Sequence, residues 1–453
     1  MAKKKKELSL EEKLEQALVP VEEQPYEVPG NWCWCHVRDI ADVVTGSTPS
    51  KKNEEYYGGD FPFFKPADLD TGDRVYEATE YLSDEGKDVS RIIPKLSTAV
   101  CCIGSIGKSG LLLREGTTNQ QINSIIPKIN PYYVYYYTKT DSFVSQLWDK
   151  STSTTISMVN KSNTEIVYFP VAPVEEQKRI VEVIESMFAK LDEAKEIAET
   201  LIDSVDANIE SVLFKALSGE LTKKWRNDNG LEMTWDDTYL SKIVSGLKYG
   251  SSEKSDYDNN GTPVLRIPNI GDGVIDFDDM KYMSQELENE SHEVFPGDIL
   301  IIRSNGSRDL VGRCALVPEL DKRYAYASFL IRMKASERVL PEYLVYFINS
   351  SMARGQLFAK AKSSSGIHNI NSKELGAISI QVPSVEEQNK IIDIVKPMIE
   401  KEKNIKNLLE QTLDNIEELK KSVLAKAFRG ELGTNIESEE SSIELLKQIL
   451  EVS

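Results

Sequence analysis

Gly104-Ser105-Ile106-Gly107-Lys108-Ser109 ends as a phosphate-binding loop ends, with a glycine, a lysine and a hydroxyl suited to phosphate oxygens. That motif needs a further glycine five residues before Gly107, and Cys102 stands there. The segment is therefore read as a turn after a strand, with Lys108 exposed. Arg303-Ser304-Asn305-Gly306-Ser307-Arg308 answers to it in the second half of the chain. Loops that combine Ser, Asn, Gly and a cation suit contacts to phosphates and base edges, and they suit ordinary hairpin turns equally. Asn119-Gln120-Gln121-Ile122-Asn123 is a cluster of amides leading into an apolar run. Such amides can read adenine with paired hydrogen bonds or can cap turns. The hydroxyl runs Ser151 to Thr155 and Ser363-Ser364-Ser365-Gly366 precede Asn160 and, beyond His368, Asn371; both places are expected near the backbone of a duplex. Lys65 and Arg266 sit at matching strand ends in the two halves. The candidate DNA contacts are thus Lys65, Lys108, Asn119, Gln120, Gln121, Arg266, Arg303, Asn305, Arg308 and His368.

Other chemistries find less support. Asn130-Pro131-Tyr132-Tyr133 is like the Asn-Pro-Pro-Tyr element that holds a target adenine in amino-methyltransferases. The corresponding place in the second half is Leu340-Pro341-Glu342-Tyr343, so the shared feature is a proline before aromatic residues, which suits the first turn of a helix. The glycine-rich cofactor loop that a methyl transferase needs is not evident. Cys33-Trp34-Cys35-His36 offers two or three metal ligands without a second cluster to complete a tetrahedral site, and alternation on a strand accounts for it. No convincing Ser-His-Asp set, catalytic carboxylate pair or His-x-x-x-His spacing is present. The chain reads as a binder, without catalytic residues or a metal.

The elements that must carry these loops are announced by a duplication. Val174 to Leu221 recurs at Val385 to Leu432 without a gap, at a constant offset of 211 residues and with 18 of 48 positions identical. Both copies open on Val-Glu-Glu-Gln and close on Gly-Glu-Leu. Ile180, Ile184, Met187, Leu191, Ala194, Ala198, Leu201 and Val205 alternate in the four-three rhythm of a coiled-coil seam. In the second copy Ile391, Val395, Met398, Ile405, Leu409, Ile416, Leu419 and Val423 keep phase, interrupted by Glu402 and Thr412. About 38 helical residues extend roughly 57 Å. One apolar stripe of that length needs a partner, and the cheapest is its own duplicate, antiparallel. Pro397 removes one helical hydrogen bond and is expected to kink the second helix.

Between the helices lie two segments with landmarks in the same order. Phe61 to Lys65 with Asp68-Leu69 answers to Pro263 to Arg266 with Asn269-Ile270; Tyr81-Leu82-Ser83 answers to Tyr282-Met283-Ser284; Ala99 to Ile103 answers to Ile299 to Ile302. Short β-rich runs bounded by Gly, Pro, Asn and Ser indicate strands, with one or two helices such as Tyr132 to Lys139. Leu8 to Val19 and Ile443 to Ile449 read as short amphipathic helices that either meet or form solvated tails.

Net charge is −19 over 453 residues, which at first sight argues against a nucleic-acid partner. The distribution softens this. Residues 31–170 hold 14 basic and 17 acidic side chains and residues 231–381 hold 17 and 21, so most of the acidity lies in the helices and tails. No apolar run approaches the roughly 20 residues of a membrane span. The start, with Lys3 to Lys6, lacks the apolar centre of a signal peptide, so the expected location is cytoplasmic.

Two variable segments, each ending in a junction like Pro-Val-Ala-Pro-Val-Glu-Glu-Gln (Pro170 to Gln177) or Val-Pro-Ser-Val-Glu-Glu-Gln (Val382 to Gln388) before a long helix, make the chain similar to the specificity subunit of type I restriction-modification enzymes. Asn119 to Asn123 and Arg303 to Gly306 are similar to recurring elements of that family. Ser384, where a second proline is usual, and Pro397 depart from its pattern. The resemblance implies an α+β chain of two mixed α/β target recognition domains separated by two long helices in an antiparallel coiled coil, with approximate internal two-fold symmetry. The expected division is a tail with a short helix (1–29), a first recognition domain (30–170), a first spacer helix (171–221) and a linker (222–230). A second recognition domain (231–381), a second spacer helix (382–432) and a tail with a short helix (433–453) follow. Each domain would read one half of a split double-stranded DNA site. The helices would set the spacing and dock two methyltransferase subunits, with restriction subunits outside them. AdoMet, ATP and Mg²⁺ would be held by those partners and none by this chain. The competing readings are a non-catalytic coiled-coil scaffold joining two protein-binding domains, and a fused methyltransferase.

Overall fold

A computed structural model describes residues 9–452 except 71, 73, 153–155, 259, 285, 288, 289, 361, 365 and 366. The basic start Lys3 to Lys6 and parts of both hydroxyl runs, Ser153 to Thr155 and Ser365-Gly366, lie outside the described residues. The chain forms two units, Met1–Ile197 with Thr412–Ser453, and Ala198–Gln411.

The central sheet of the first unit has the spatial order Ala41–Thr45, Ile122–Pro127, Thr98–Cys101, Ser109–Leu112, Arg74–Val75. That of the second has Val244–Tyr249, Leu330–Ala335, Asp298–Ile302, Cys314–Leu316, Gly273–Val274. Numbered along the chain, both are first, fifth, third, fourth, second. The two segments are one fold, as their shared landmarks predict. The middle strand of each sheet is buried on both faces: Ile299 and Ile301 enter one core, Leu300 and Ile302 another. In the first unit Val100 faces one core while Ala99 and Cys101 face a second. Two-sided burial explains why these strands read as unbroken apolar runs. A smaller sheet beside each ends in a parallel pair, Phe63 with Thr117 and Phe64 with Thr118 in one unit, Val264 with Ala325 and Leu265 with Tyr326 in the other.

The duplicated segments form helices Val174–Leu217 and Val385–Phe428, each of 44 residues and about 66 Å long. The second runs through Pro397, whose ring nitrogen takes one amide donor out of the helix. In the first unit Lys195 pairs with Glu417 at 2.9 Å and Lys420 with Asp192, which sets the two helices antiparallel there. In the second, Lys406 pairs with Asp206 at 2.7 Å, the equivalent of Lys195 with Glu417 at the 211-residue offset.

The seam is one residue away from its expected course at every second position. Met187 and Leu201 are 40% and 46% exposed, whereas Phe188, Leu191, Ala198, Ile202 and Val205 face inward. In the second helix Ile399 and Leu413 stand in the seam in place of Met398 and Thr412, and Lys420 in place of Leu419. Both 187 and 188, and both 201 and 202, are apolar, so composition could not separate the registers. The true seam also contains Lys195, Lys406 and Lys420, which an apolar count passes over. Their carboxylate partners satisfy each ammonium beside the stripe.

The Glu-Glu-Gln elements are joints. Glu176, fully buried, accepts hydrogen bonds from Trp32 Nε1 at 2.8 Å, Asn435 Nδ2 at 2.7 Å and Thr434 Oγ1 at 3.2 Å. Its equivalent Glu387 accepts from Trp235 Nε1 at 2.9 Å and Thr222 Oγ1 at 2.6 Å, and forms a buried ion pair with Arg226. Gln177 accepts from Asn130 N at 3.2 Å and Gln388 from Leu340 N at 2.7 Å. These bonds seat the helices Pro131–Thr138 and Pro341–Asn349, each with proline as its first residue. The Asn-Pro-Tyr-Tyr element is thus a helix start: Asn130 caps Tyr132 N at 3.0 Å, and Tyr133 is buried in the core. At the other end Gly219 and Gly430 take positive φ, +76° and +73°, to terminate the long helices.

The short helices Leu10–Ala17 and Ser442–Val452 meet in the first unit. Lys13 Nζ donates to Leu450 O at 3.0 Å, and Ala17, Leu446 and Leu450 share its core. Among the described residues no helix is long and apolar enough to cross a membrane.

Candidate nucleic-acid interface

Where the parallel strand pair of each small sheet ends, polar loops converge, because both chains leave on the same side. In the first unit the pair is followed at once by Lys65 and by Asn119-Gln120-Gln121, joined by Asn119 N donating to Phe64 O at 3.2 Å. The loop from Cys102 to Lys108 closes on them, with Cys102 N bonded to Gln121 O at 2.8 Å and Lys108 Nζ bonded to Pro66 O at 2.7 Å. In the second unit Ala327 N donates to Leu265 O at 2.9 Å and Arg303 N to Phe329 O at 2.9 Å. The two sites are built alike, so Asn119, Gln120 and Gln121 correspond to Ala327, Ser328 and Phe329.

A glycine lets a third segment into each site. Ser47 N and Ser251 N bond the carbonyls of Thr118 and Tyr326 at 2.9 and 2.8 Å. A Cβ on the preceding Gly46 or Gly250 would run into backbone carbonyl oxygens of the same strand ends.

Among the candidate cations most are held by carboxylates of their own unit. Lys65 pairs with Glu80, Lys108 with Asp70, and Arg266 with Asp279 at 3.0 Å. The Arg266 guanidinium, hydrogen-bonded to Asp279, draws that carboxyl below its ordinary value. Asp68 and Asn269 fix the two equivalent turns, accepting from Lys65 N at 2.7 Å and Arg266 N at 2.8 Å. Arg303 differs. Its guanidinium lies over the Tyr249 ring at 4.4 Å, with long contacts to Ser328 O (3.5 Å) and Asn369 Oδ1 (3.4 Å). Arg308, expected beside it, is exposed over Phe358 at 4.7 Å.

The amides divide. Asn119 is buried and closes its own turn, accepting from Gln121 N at 3.0 Å. Gln120 is exposed, its Oε1 accepting from Thr48 Oγ1 at 2.5 Å. Asn305 and His368, singled out for separate reasons, are cross-strand neighbours in the ribbon Ser304–Asn305, Ile367–Asn369, Lys362–Ser364. The first unit keeps a reduced version, bridges from Ile103 to Met158 and from Met158 to Thr152. Asn160 and Asn371, expected near a duplex backbone, are helix N-caps, bonded to Asn163 N at 2.8 Å and Glu374 N at 2.9 Å.

One equivalence differs from the sequence expectation. Lys108 corresponds to Arg313, not to a residue of the Arg303 to Arg308 run. Gly107 and Gly312 both take positive φ and donate back to Cys101 O and Ile302 O at 3.0 and 2.8 Å. Arg313 then pairs with Asp272 at 3.1 Å as Lys108 pairs with Asp70. Arg313, Tyr249, Ser328 and the 56% exposed Phe329 were not foreseen.

Comparison with known proteins agrees with this duplicated plan. The specificity subunit of the type I restriction enzyme EcoKI from Escherichia coli K12 is 29% identical over 447 residues, covering 93% of this chain and 96% of its own. That of StySPI from Salmonella potsdam is 25% identical, covering 90% of each. A chain solved in work on complex assembly and conformational transition of the type I R-M system shares the fold, with a TM-score of 0.70 at 18% identity over 90% of this chain and all of that one. The sequence profile of the type I restriction modification DNA specificity domain matches residues 29–201 and again 240–411. Two copies of that domain span most of the chain, and the protein belongs to the type I restriction-modification DNA specificity family.

Proposed function

We propose that this chain is the DNA-recognition subunit of a type I restriction-modification complex, each unit reading one half of a bipartite double-stranded site. The observation that carries this reading is the convergence, twice and by the same backbone bonds, of variable polar loops at the end of a parallel strand pair. The shared bonds hold the loops, while the side chains they present differ between units, as two unlike half-sites require. Lys65, Lys108, Gln120, Gln121, Arg266, Arg303, Asn305, Arg308 and His368 are the proposed contacts, with Asn119 shaping the loop that carries Gln120 and Gln121. A Lys or Arg now held by an aspartate or glutamate must exchange that partner for a phosphate. The exchange favours cognate geometry over bare charge.

The subunit is non-catalytic. Its nearest approach to a nucleotide loop, Gly104 to Ser109, lacks the first glycine, and Lys108 is bound to Asp70 and Pro66 O. AdoMet, ATP and Mg²⁺ are assigned to two methyltransferase subunits and to restriction subunits, and the expected location is the cytoplasm. The proposed domain limits are those of the sequence reading, 30–170 and 231–381 for the two readers.

The test is a salt-dependent gel shift with methyltransferase partners supplied, followed by mapping of methylated sites. A bipartite motif is expected, and no shift at any salt would favour the scaffold reading. Four residues inserted into each long helix should lengthen the unread gap by roughly one to two base pairs, from about 1.5 Å per helical residue and about 3.4 Å per base pair. Unchanged spacing in the sequenced sites would remove the helices' role as a spacer.

A further inference from the structure

Cys102 and Arg303 occupy the same place in the two units. Cys102 donates to Gln121 O at 2.8 Å and accepts from Val159 N at 2.8 Å; Arg303 donates to Phe329 O at 2.9 Å and accepts from Ile370 N at 2.9 Å. Their chemistry is opposite. Burial pushes the Cys102 thiol up to about 11, so it presents no charge, while Arg303 presents a planar cation.

The environment of Arg303 leaves that cation unsatisfied. No carboxylate among the described residues pairs with it, in contrast to Lys65, Lys108, Arg266 and Arg313. Among the described residues its Nε is buried without a hydrogen-bond partner, and its two terminal nitrogens make only the long contacts to Ser328 O and Asn369 Oδ1. What it has is an aromatic face. The Tyr249 ring lies 4.4 Å from the guanidinium carbon and is itself tethered, its hydroxyl accepting from Ser372 N at 3.1 Å. A contact with the ring face holds the fork in place without consuming its donors.

A planar fork with unmet donors, set among Ser328, Asn369 and the exposed ring of Phe329, matches two acceptors in one plane. Guanine offers that pair as O6 and N7 in the major groove; a phosphate offers charge but does not demand a fixed plane. We infer that Arg303, held over the ring of Tyr249, reads a guanine in the half-site recognised by the second unit, and that the first unit has no guanine reader at the equivalent Cys102. This rests on the DNA-recognition reading above. Tyr249 is a positioning residue: it acts through Arg303.

The experiment uses the full chain assembled with its methyltransferase partners and a DNA library randomised in both half-sites, with methylated fragments sequenced. The native complex should require guanine at one position of one half-site. R303Q should lower that preference about ten- to a hundred-fold at that position alone, leaving the other half-site and the gap unchanged as internal controls of folding. R303K, which keeps charge and stem, should retain a weaker preference and covers disturbance of the loop by glutamine. Y249F should stay within about threefold of native, whereas Y249L should lose part of the guanine preference. Uniform weakening of all sequences with a reduced salt slope would make Arg303 a phosphate contact and overturn the proposal. So would relaxation in the other half-site, or none. A native complex that selects no bipartite motif would instead overturn the recognition reading beneath it.

Discussion

Replacing Glu387 with alanine is expected to destabilise the second unit by about 3–5 kcal/mol, because it strands a buried guanidinium. Glu387 and Arg226 are 4% and 6% exposed and form an ion pair, and the same carboxylate takes the Trp235 and Thr222 hydrogen bonds. Its removal leaves Arg226 without its ionic partner and two polar groups without their acceptor. The double variant E387A/R226M should recover much of the loss, since the charge is removed together with its partner. Denaturant unfolding measures the cycle, and hydrogen exchange locates it in Ala198–Gln411. An unchanged midpoint for E387A would show that the joint contributes little. At the equivalent Glu176 the partners Trp32, Thr434 and Asn435 are neutral, so E176A should cost less.

The second large effect is expected at Phe428, the last residue of the second long helix. It is fully buried, its ring 4.9 Å from that of Tyr133 and 5.1 Å from that of Tyr137. F428A should destabilise the first unit by about 3–5 kcal/mol, from lost transfer and a cavity between tyrosines that cannot collapse freely. Leu217 is its equivalent in the other helix and is 2% exposed; L217A should cost about 2–5 kcal/mol in the second unit. Hydrogen exchange resolved by segment reads both. Loss of protection by F428A confined to Ala198–Gln411 would contradict the assignment of this helix end to the first core.

The duplication was legible because it lies in contiguous sequence: helical periodicity and the Glu-Glu-Gln joints keep one offset of 211 residues. The paired strands were legible in outline, since two-sided burial forces apolar runs at Ala99 and Ile299. The seam was half legible. Ile184, Leu191, Ala198 and Val205 lie in the seam as the spacing predicts, but Phe188 and Ile202 stand there in place of Met187 and Leu201, because hydrophobicity alone cannot choose between adjacent apolar residues.

The candidate site was less legible because its residues meet through long-range backbone bonds. The loop from strand end to strand end is residues 102–108 in one unit and 303–313 in the other. That difference in length hid the equivalence of Lys108 with Arg313. The type of a residue also did not reveal its employment: Asn119 and Gln120 are adjacent amides, yet one closes a turn and the other faces solvent. Tyr249 and Phe329 are aromatic residues of the kind that cores also use, and only the fold places them beside Arg303.

The core of the first unit draws Leu424, Ala427, Phe428, Leu446 and Leu450 from the far end of the chain. On the ribosome, residues 1–197 must wait for roughly 250 more before that core can close, some 10–50 s at about 5–20 residues per second. Ala198–Gln411 is one continuous stretch and is free to close earlier. The half translated first is therefore the half completed last. While it waits, its apolar faces stay open to chaperones and proteases, and a message truncated just after residue 411 would deliver one finished half joined to one that cannot finish.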